Sequence, residues 1–217
     1  MQPQRDAGPD GTAAPAGSVV ARLRFDAGRP CLNLLATIGR RGATPVERVP
    51  ATPDFVAWLT GAGLVQAPVP VSEPELQQMR RLRDAVYAVV DAARCTRAPT
   101  PGAVAVLNSF AAHPPPSPRL AVGGRTVTWH SDDPVRGALA VPARDAIDLV
   151  TGPDLARVRE CAAPECRMLF LDSSRGGRRR WCSMARCGNR AKARAHAART
   201  RPPGRTASPR GAAEFQR

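Results

Sequence analysis

The sequence predicts a mainly α N-terminal domain with one small β-hairpin, followed by a small C-terminal four-cysteine finger of short strands and then a helix. Three observations predict it. Apolar residues recur at helical spacing in four stretches of the first 156 residues, three of them behind good start signals. A Gly123-Gly124 pair sits between two short runs of β-formers. Four of the six cysteines fall within 27 residues of the C-terminal third.

In chain order, residues 1–19 are rich in Pro, Gly, Ala and Asp and are expected to form a disordered leader. Val20 to Phe25 alternates apolar and basic residues, the pattern of a short strand. Cys31 to Ile38 follows Gly28 and Pro30 and is expected as a short buried helix. Arg40 to Pro50 reads as a loop. Thr52-Pro53-Asp54 offers an N-cap threonine with proline at the first helical position. That helix runs through Phe55, Trp58 and Leu59 and stops at Gly61 or Gly63.

Ser72-Glu73-Pro74-Glu75 is a capping box opening the strongest helix. Leu76, Met79, Leu82, Val86, Val89 and Val90 form its apolar face. Arg80, Arg81, Arg83, Asp84 and Asp91 fall mostly opposite. Thr100-Pro101 starts a helix through Val104, Leu107 and Phe110 that ends in Pro114–Pro116. Leu120–Val122 and Thr126–Trp129 flank the glycine pair as hairpin strands. Val135 to Val150 is a further amphipathic helix, ended by Gly152-Pro153. The expected organisation is a leader (1–19), an α-rich domain (20–156), a finger (157–199) and a disordered basic tail (200–217).

With 217 residues, 43% of them hydrophobic, the chain is long enough to bury a core and is not wholly disordered. Its net charge of +14 is unevenly placed. Residues 1–156 hold 16 arginines against 14 acids, whereas residues 157–217 hold 15 arginines and Lys192 against four acids. Such asymmetry suggests a polyanion partner, and a solvated basic face would explain it equally well. No apolar run is long enough to span a bilayer, no secretion signal opens the chain, and six cysteines are too few for a disulfide-stapled mini-protein. A soluble cytoplasmic chain with reduced thiols is expected. It shows no Gly-rich phosphate loop, no Ser/His/Asp arrangement, no paired carboxylates and no histidine cluster, so no enzyme activity is expected.

The cysteines read Cys161-x4-Cys166, fifteen residues, then Cys182-x4-Cys187. Two short-spaced pairs across such a loop can present four sulfurs to one ion. Four thiolates fill a tetrahedron and leave no open position, so Cys161, Cys166, Cys182 and Cys187 are expected to hold one structural zinc. Two disulfides or four free thiols are the other uses of this pattern. Arg167, Arg180 and Arg186 stand near the ligands in sequence and are expected to offset the formal −2 of the centre. Met168-Leu169-Phe170-Leu171 is expected to supply a mini-core strand, with Trp181 beside it. Loss of one ligand would then unfold residues 157–199 and leave the body folded. Cys31 and Cys95 are solitary and are expected to fill the core.

Phe170-Leu171-Asp172, Arg179-Arg180-Trp181-Cys182-Ser183 and Cys187-Gly188-Asn189-Arg190, followed by Ala191-Lys192, resemble the CGNR zinc-finger family of bacteria. The resemblance spans roughly Leu155 to Arg199. Upstream, Arg29-Pro30-Cys31-Leu32 and the segment Cys31-Leu32-Asn33-Leu34-Leu35-Ala36-Thr37 resemble the ABATE domain, where C-L-D-F-V-N-T is common. The resemblance implies a stress-induced transcription regulator. Its N-terminal domain would be a sensor or dimerisation domain, so a small-molecule signal and a homodimer are implied partners.

At 100° per residue, Cys187, Gly188, Ala191, Ala195 and Ala198 share a narrow face toward the zinc core. Arg186, Asn189, Arg190, Lys192, Arg194, His196 and Arg199 cover the broad face, and Arg178, Arg179 and Arg180 extend it. This suits contact with the phosphates of double-stranded DNA. Asn189 could read an adenine edge or cap the helix, and Arg190 could touch DNA or buttress the thiolates. The few aromatics favour DNA over single-stranded RNA. The expected function is a zinc-dependent DNA-binding transcriptional regulator. An RNA- or ribosome-associated zinc protein, or a protein-interaction module with a structural zinc, is the alternative.

Overall fold

The computed structural model describes residues 22–200. The expected leader, and the expected tail beyond Thr200, lie outside the described residues. Twelve regular segments of strand and α-helix follow among the described residues, mostly where the caps and periodicity place them. Helix α1 (Pro30–Leu35) is short and buries Cys31, Leu32, Leu34 and Leu35. Strand β1 (Ile38–Gly39), where the expected helix would end, pairs antiparallel with β2 (Val46–Glu47), inside the expected loop. Helix α2 (Thr52–Gly61) begins at the expected cap residue itself, and its N-cap is Ala51, one residue earlier. The Asp54 carboxylate accepts from the Ala51 N–H at 3.2 Å, so the aspartate supplies the cap.

Helix α3 (Glu73–Arg94) is the central rod. Its six expected apolar residues are all buried. Arg83 departs from the expectation, because it too is buried. Its guanidinium donates to Thr37 Oγ1 at 3.0 Å and meets the Glu47 carboxylate at 2.8 Å. Cys95 is no core residue: it lies exposed just past the helix end. Thr96 turns the chain away there with φ +54. Helix α4 (Pro101–Ala111) is capped by Thr100 and packs on α3.

The hairpin pairs β3 (Ser117–Leu120) with β4 (Val127–His130). Its strands sit slightly further from the glycines than the sequence suggests. Helix α5 (Pro134–Thr151) is capped by Asp133, whose carboxylate accepts from the Arg136 N–H at 3.0 Å. Of the strand expected at Val20 to Phe25, Val20 and Ala21 lie outside the described residues; the rest is not formed, since Leu23 to Asp26 has no regular structure and Arg22 is helical. Leu23 and Arg24 are both buried, which an alternating half-exposed strand does not allow.

Strand β5 (Val158–Glu160) pairs with β6 (Leu169–Leu171). A single hydrophobic core runs from α1–α5 into this hairpin and the four cysteines. The expected separate mini-core is therefore replaced by a shared one. Gly28 (φ +94) explains how the two parts come so close: a Cβ there would stand 3.0 Å from Leu171 Cβ. The Leu171 N–H donates to the Ala27 carbonyl at 2.8 Å. At Gly42 a Cβ would lie 1.8 Å from the Pro164 carbonyl oxygen, and the neighbouring Arg41 N–H donates to the Cys166 carbonyl at 3.1 Å.

Arg29 holds the start of α1 to α5. It meets Asp145 at 2.7 Å, Asp148 at 2.6 Å and Asp154 at 3.2 Å. The second Asp145 oxygen accepts the Cys31 N–H at 2.9 Å. Asp145→Asn keeps an acceptor for α1 but removes the charge facing Arg29. It is expected to cost about 1 kcal/mol in urea unfolding, because Asp148 and Asp154 retain part of the pairing.

Candidate zinc centre and basic face

Each short-spaced cysteine pair is presented by a different local structure. Cys161 follows β5, and Cys166 ends a turn in which its N–H donates to the Ala163 carbonyl at 2.8 Å. Cys182 follows the loop after β6. Cys187 lies in a π-helical turn, Met184–Gly188, that leads into helix α6 (Asn189–Thr200). The four sulfurs lie within 4.8 Å of one another and all four residues are buried. Cys166 and Cys182 Sγ are 3.7 Å apart, and Cys182 and Cys187 Sγ are 3.6 Å apart. Zinc–sulfur bonds of about 2.3 Å in a tetrahedron require sulfur–sulfur edges of about 3.8 Å. The donor set therefore fits one zinc ion, held by Cys161, Cys166, Cys182 and Cys187, with no position left for a reacting ligand. No disulfide joins any of the six cysteines.

The sulfurs share their hydrogens unequally. Hydrogen bonds from Cys166 and Cys182, with the Cys182 N–H at 3.4 Å, hold the Cys161 thiol well below its ordinary range. The same crowding pushes the Cys166 thiol up. A metal that removes the protons resolves both strains at once.

The cations that touch the sulfurs differ from those nearest in sequence. Arg24 Nη1 donates to Cys182 Sγ at 3.3 Å, and Arg190 Nη2 donates to Cys187 Sγ at 3.4 Å. Arg167 instead pairs with Glu160 at 2.7 Å, and Arg180 lies over the Trp181 ring at 5.3 Å. Burial opposes the Arg24 charge, but bonds to Asp26 and Cys182 outweigh it and raise its pKa. Burial lowers Arg48, and the charges of Arg24 and Arg186 lower it further, partly offset by the fields of Cys166 and Cys182. The centre is thus flanked by Arg24 and Arg48, which lie in the field of Cys182, and by Arg190 on Cys187. The first two come from the N-terminal part and carry no local sequence signal.

The loop after β6 is shaped by Asp172. Its carboxylate accepts from Ser174 Oγ at 2.6 Å, the Ser174 N–H at 3.0 Å and the Arg179 N–H at 2.9 Å. The Ser174 hydroxyl first, against the pull of burial, holds that carboxyl below the usual carboxylate range. Arg179 is committed to the fold. It donates to the Trp181 and Cys182 carbonyls and lies over the Phe170 ring at 4.7 Å. Arg194 pairs with Glu165 at 3.0 Å. Arg178, Arg186, Asn189, Lys192 and Arg199 are exposed. Their side chains have no hydrogen-bond or ion-pair partner among the described residues.

The narrow small face of the helix extends less far than its periodicity suggests. Ala191 is half-buried, but every residue from Lys192 to Thr200 is exposed, Ala195 and Ala198 included. The π turn at Met184–Gly188 breaks the register of a straight wheel, and the core ends one turn into α6. Gly188 lies where a Cβ would meet Met184 Sδ at 2.7 Å and Trp181 Cδ1 at 3.2 Å. Trp181 is half-buried against the core.

A closed tetrathiolate site on a short β-hairpin, leading into a basic helix and seated on a helical domain, defines a zinc-finger protein whose metal is structural. The chain belongs to the ABATE family, whose model, described as "Putative stress-induced transcription regulator", matches residues 28–153. The CGNR zinc finger model matches residues 157–200. No curated protein matches the chain. Neither matching family is an enzyme family. Among the described residues, no helix is long and apolar enough to cross a membrane.

Proposed function

We infer that this zinc-binding regulator acts on double-stranded DNA through the finger, with the α-rich domain as sensor or dimerisation domain. The observation that carries the reading is α6: every residue from Lys192 to Thr200 is exposed, with Arg194 tied to Glu165 near its start. A helix exposed along this length can enter a groove. Arg178, Arg186 and Asn189 stand exposed at its base, positioned for phosphates and, for Asn189, a base edge. Arg190 belongs to the thiolates, so its role is to set the angle of the helix. Arg179 likewise shapes the loop that presents Arg178. The aromatics near the face are occupied: Phe170 is buried beneath Arg179, and Trp181 is covered by Arg180. That favours backbone contact with duplex DNA over stacking of single-stranded RNA.

Fluorescence anisotropy of the full chain on a mixed-sequence duplex, across a salt series, tests this. Each phosphate contact adds about 0.9 to the slope of log K on log salt. Lys192→Ala and Arg199→Ala are each expected to reduce the slope by about one and to leave the zinc content unchanged. A structured RNA that competes better than the duplex at equal salt would favour the ribosome-associated reading. Equal slopes in wild type and variants would favour a protein-interaction module.

A further inference from the structure

The β3–β4 hairpin carries an apolar face that nothing in its own chain covers. The register pairs Pro118 with Trp129 and Leu120 with Val127, so these four side chains share one face. Leu120 is 73% exposed, Val127 51% and Trp129 52%, and Val122 at the tip is fully exposed. The tip projects into open space: a Cβ at Gly123 or Gly124 would meet nothing within 4 Å. A lone two-stranded hairpin is marginal in water unless a face is covered or a strand is added.

Strand addition is blocked on both edges. On β4, Gln66 occupies the ladder positions. Its Oε1 accepts from the Trp129 N–H at 3.0 Å and its Nε2 donates to the Val127 carbonyl at 3.5 Å. On β3, Pro118 stands opposite Trp129 and has no N–H to offer. What remains to be covered is the face.

At the foot of that face lies an apolar groove of about 370 Å³, lined by Leu64, Val65, Pro115, Pro116, Trp129 and Val141. Trp129 belongs to both surfaces, so knob and groove are continuous. Gln66, the polar side chain beside the groove, is already spent on β4, so no free polar group there would orient a small ligand. The charges are also self-complementary. Arg119 and Arg125 on the hairpin are exposed and have no acidic partner among the described residues. Asp132 and Asp133 stand exposed just beyond β4.

We propose that this face is a homodimer surface: the hairpin tip of one protomer, led by Val122 and Leu120, seats in the Trp129 groove of a second copy. A two-fold axis makes this contact twice from the same patch, because each protomer carries both knob and groove. The hairpin arginines then face the partner's acidic loop, which sets the orientation. The proposal deepens the dimerisation part of the function above and is independent of the DNA part.

Sedimentation equilibrium of the zinc-loaded full chain, without nucleic acid, is the test. The wild type is expected to dimerise. Val122→Asp and Leu120→Asp are each expected to weaken self-association about tenfold or more, with unchanged melting at concentrations where the chain is monomeric, because both side chains are solvent-exposed in the single protomer. Arg125→Glu is expected to weaken it less, and more so at low salt. A wild type that stays monomeric up to about 100 µM overturns the proposal. A dimer whose constant is unmoved by both aspartate variants also overturns it, and places the interface elsewhere. Because no DNA is present, failure here leaves the DNA reading intact, and failure of the salt titration leaves this surface intact.

Discussion

Cys166→Ser is expected to release zinc and to lower the melting of the entire folded chain. Four-thiolate zinc contributes folding free energy directly, with apparent values of about 10–16 kcal/mol in finger peptides near neutral pH. The whole stability of an ordinary domain is only about 5–15 kcal/mol. In a finger that folds alone, losing a ligand would leave the body untouched. Here the partition fails, because Phe170 and Leu169 are buried in the same core as α1. Leu171 is hydrogen-bonded to Ala27, and the Cys166 carbonyl takes the Arg41 N–H. Arg94 also reaches Glu160 at 3.1 Å. Unfolding the finger would expose the face of α1 and strip partners from these groups.

A coupled loss of even about 4 kcal/mol lowers Tm by roughly 8–16 °C in a chain of this size. Calorimetry should show one transition, shifted down and free of zinc, and a chelator should reproduce it on the wild type. A body transition that stays at its wild-type temperature would show the finger to be autonomous. The same coupling explains why a simple truncation after residue 156 is a poor DNA-binding control: it would uncover the core.

What could be read without coordinates was local. The Ser72 capping box, the 3.6-residue periodicity of α3 and the spacing of the cysteines depend on neighbours within a turn or a loop, and the structure follows them closely. The chemistry of the metal site was legible for the same reason: four thiols at short spacing define their ion. What was not legible depends on long-range approach. Gly28 and Gly42 look like ordinary loop glycines, yet they are the points where the body and the finger touch. Arg83 sits on the polar side of a helical wheel, and only the distant Thr37 and Glu47 show it to be buried. A wheel drawn through residues 186–199 cannot register the π turn, which fixes where the basic helix leaves the core. Arg179, one of three consecutive arginines, differs from Arg178 only through its distance to Phe170 and the Asp172 loop.

Arg24 carries the second large effect. It lies 158 positions from Cys182, yet donates to that sulfur from a site with almost no solvent access, while its other nitrogens hold Asp26 at 2.8 and 3.0 Å. Metal-ligand sulfurs are tuned by the groups that donate to them, and removing such a partner commonly costs about 10–100-fold in metal affinity. Arg24→Met keeps the length of the side chain and its apolar stem but removes the donor and the charge. The Cys182 thiolate would then be buried without that donor, and the negative centre would lose one of its cations. A zinc competition against a chelator should register the loss as tighter demand for free zinc, toward the upper end of that range because the site is so fully buried. Arg24→Lys restores the charge but cannot bond Asp26 and Cys182 with a planar fork, so it should recover only part of the affinity. The cobalt-substituted protein offers a second readout, since the thiolate-to-metal absorption bands shift when a sulfur loses its hydrogen bond. Unchanged competition and unchanged bands in a folded Arg24→Met variant would mean that Arg24 merely packs there. The expected result instead makes the N-terminal part a working component of the zinc site: whatever displaces the Leu23–Asp26 segment would loosen Cys182, and with it the turn from which the basic helix departs.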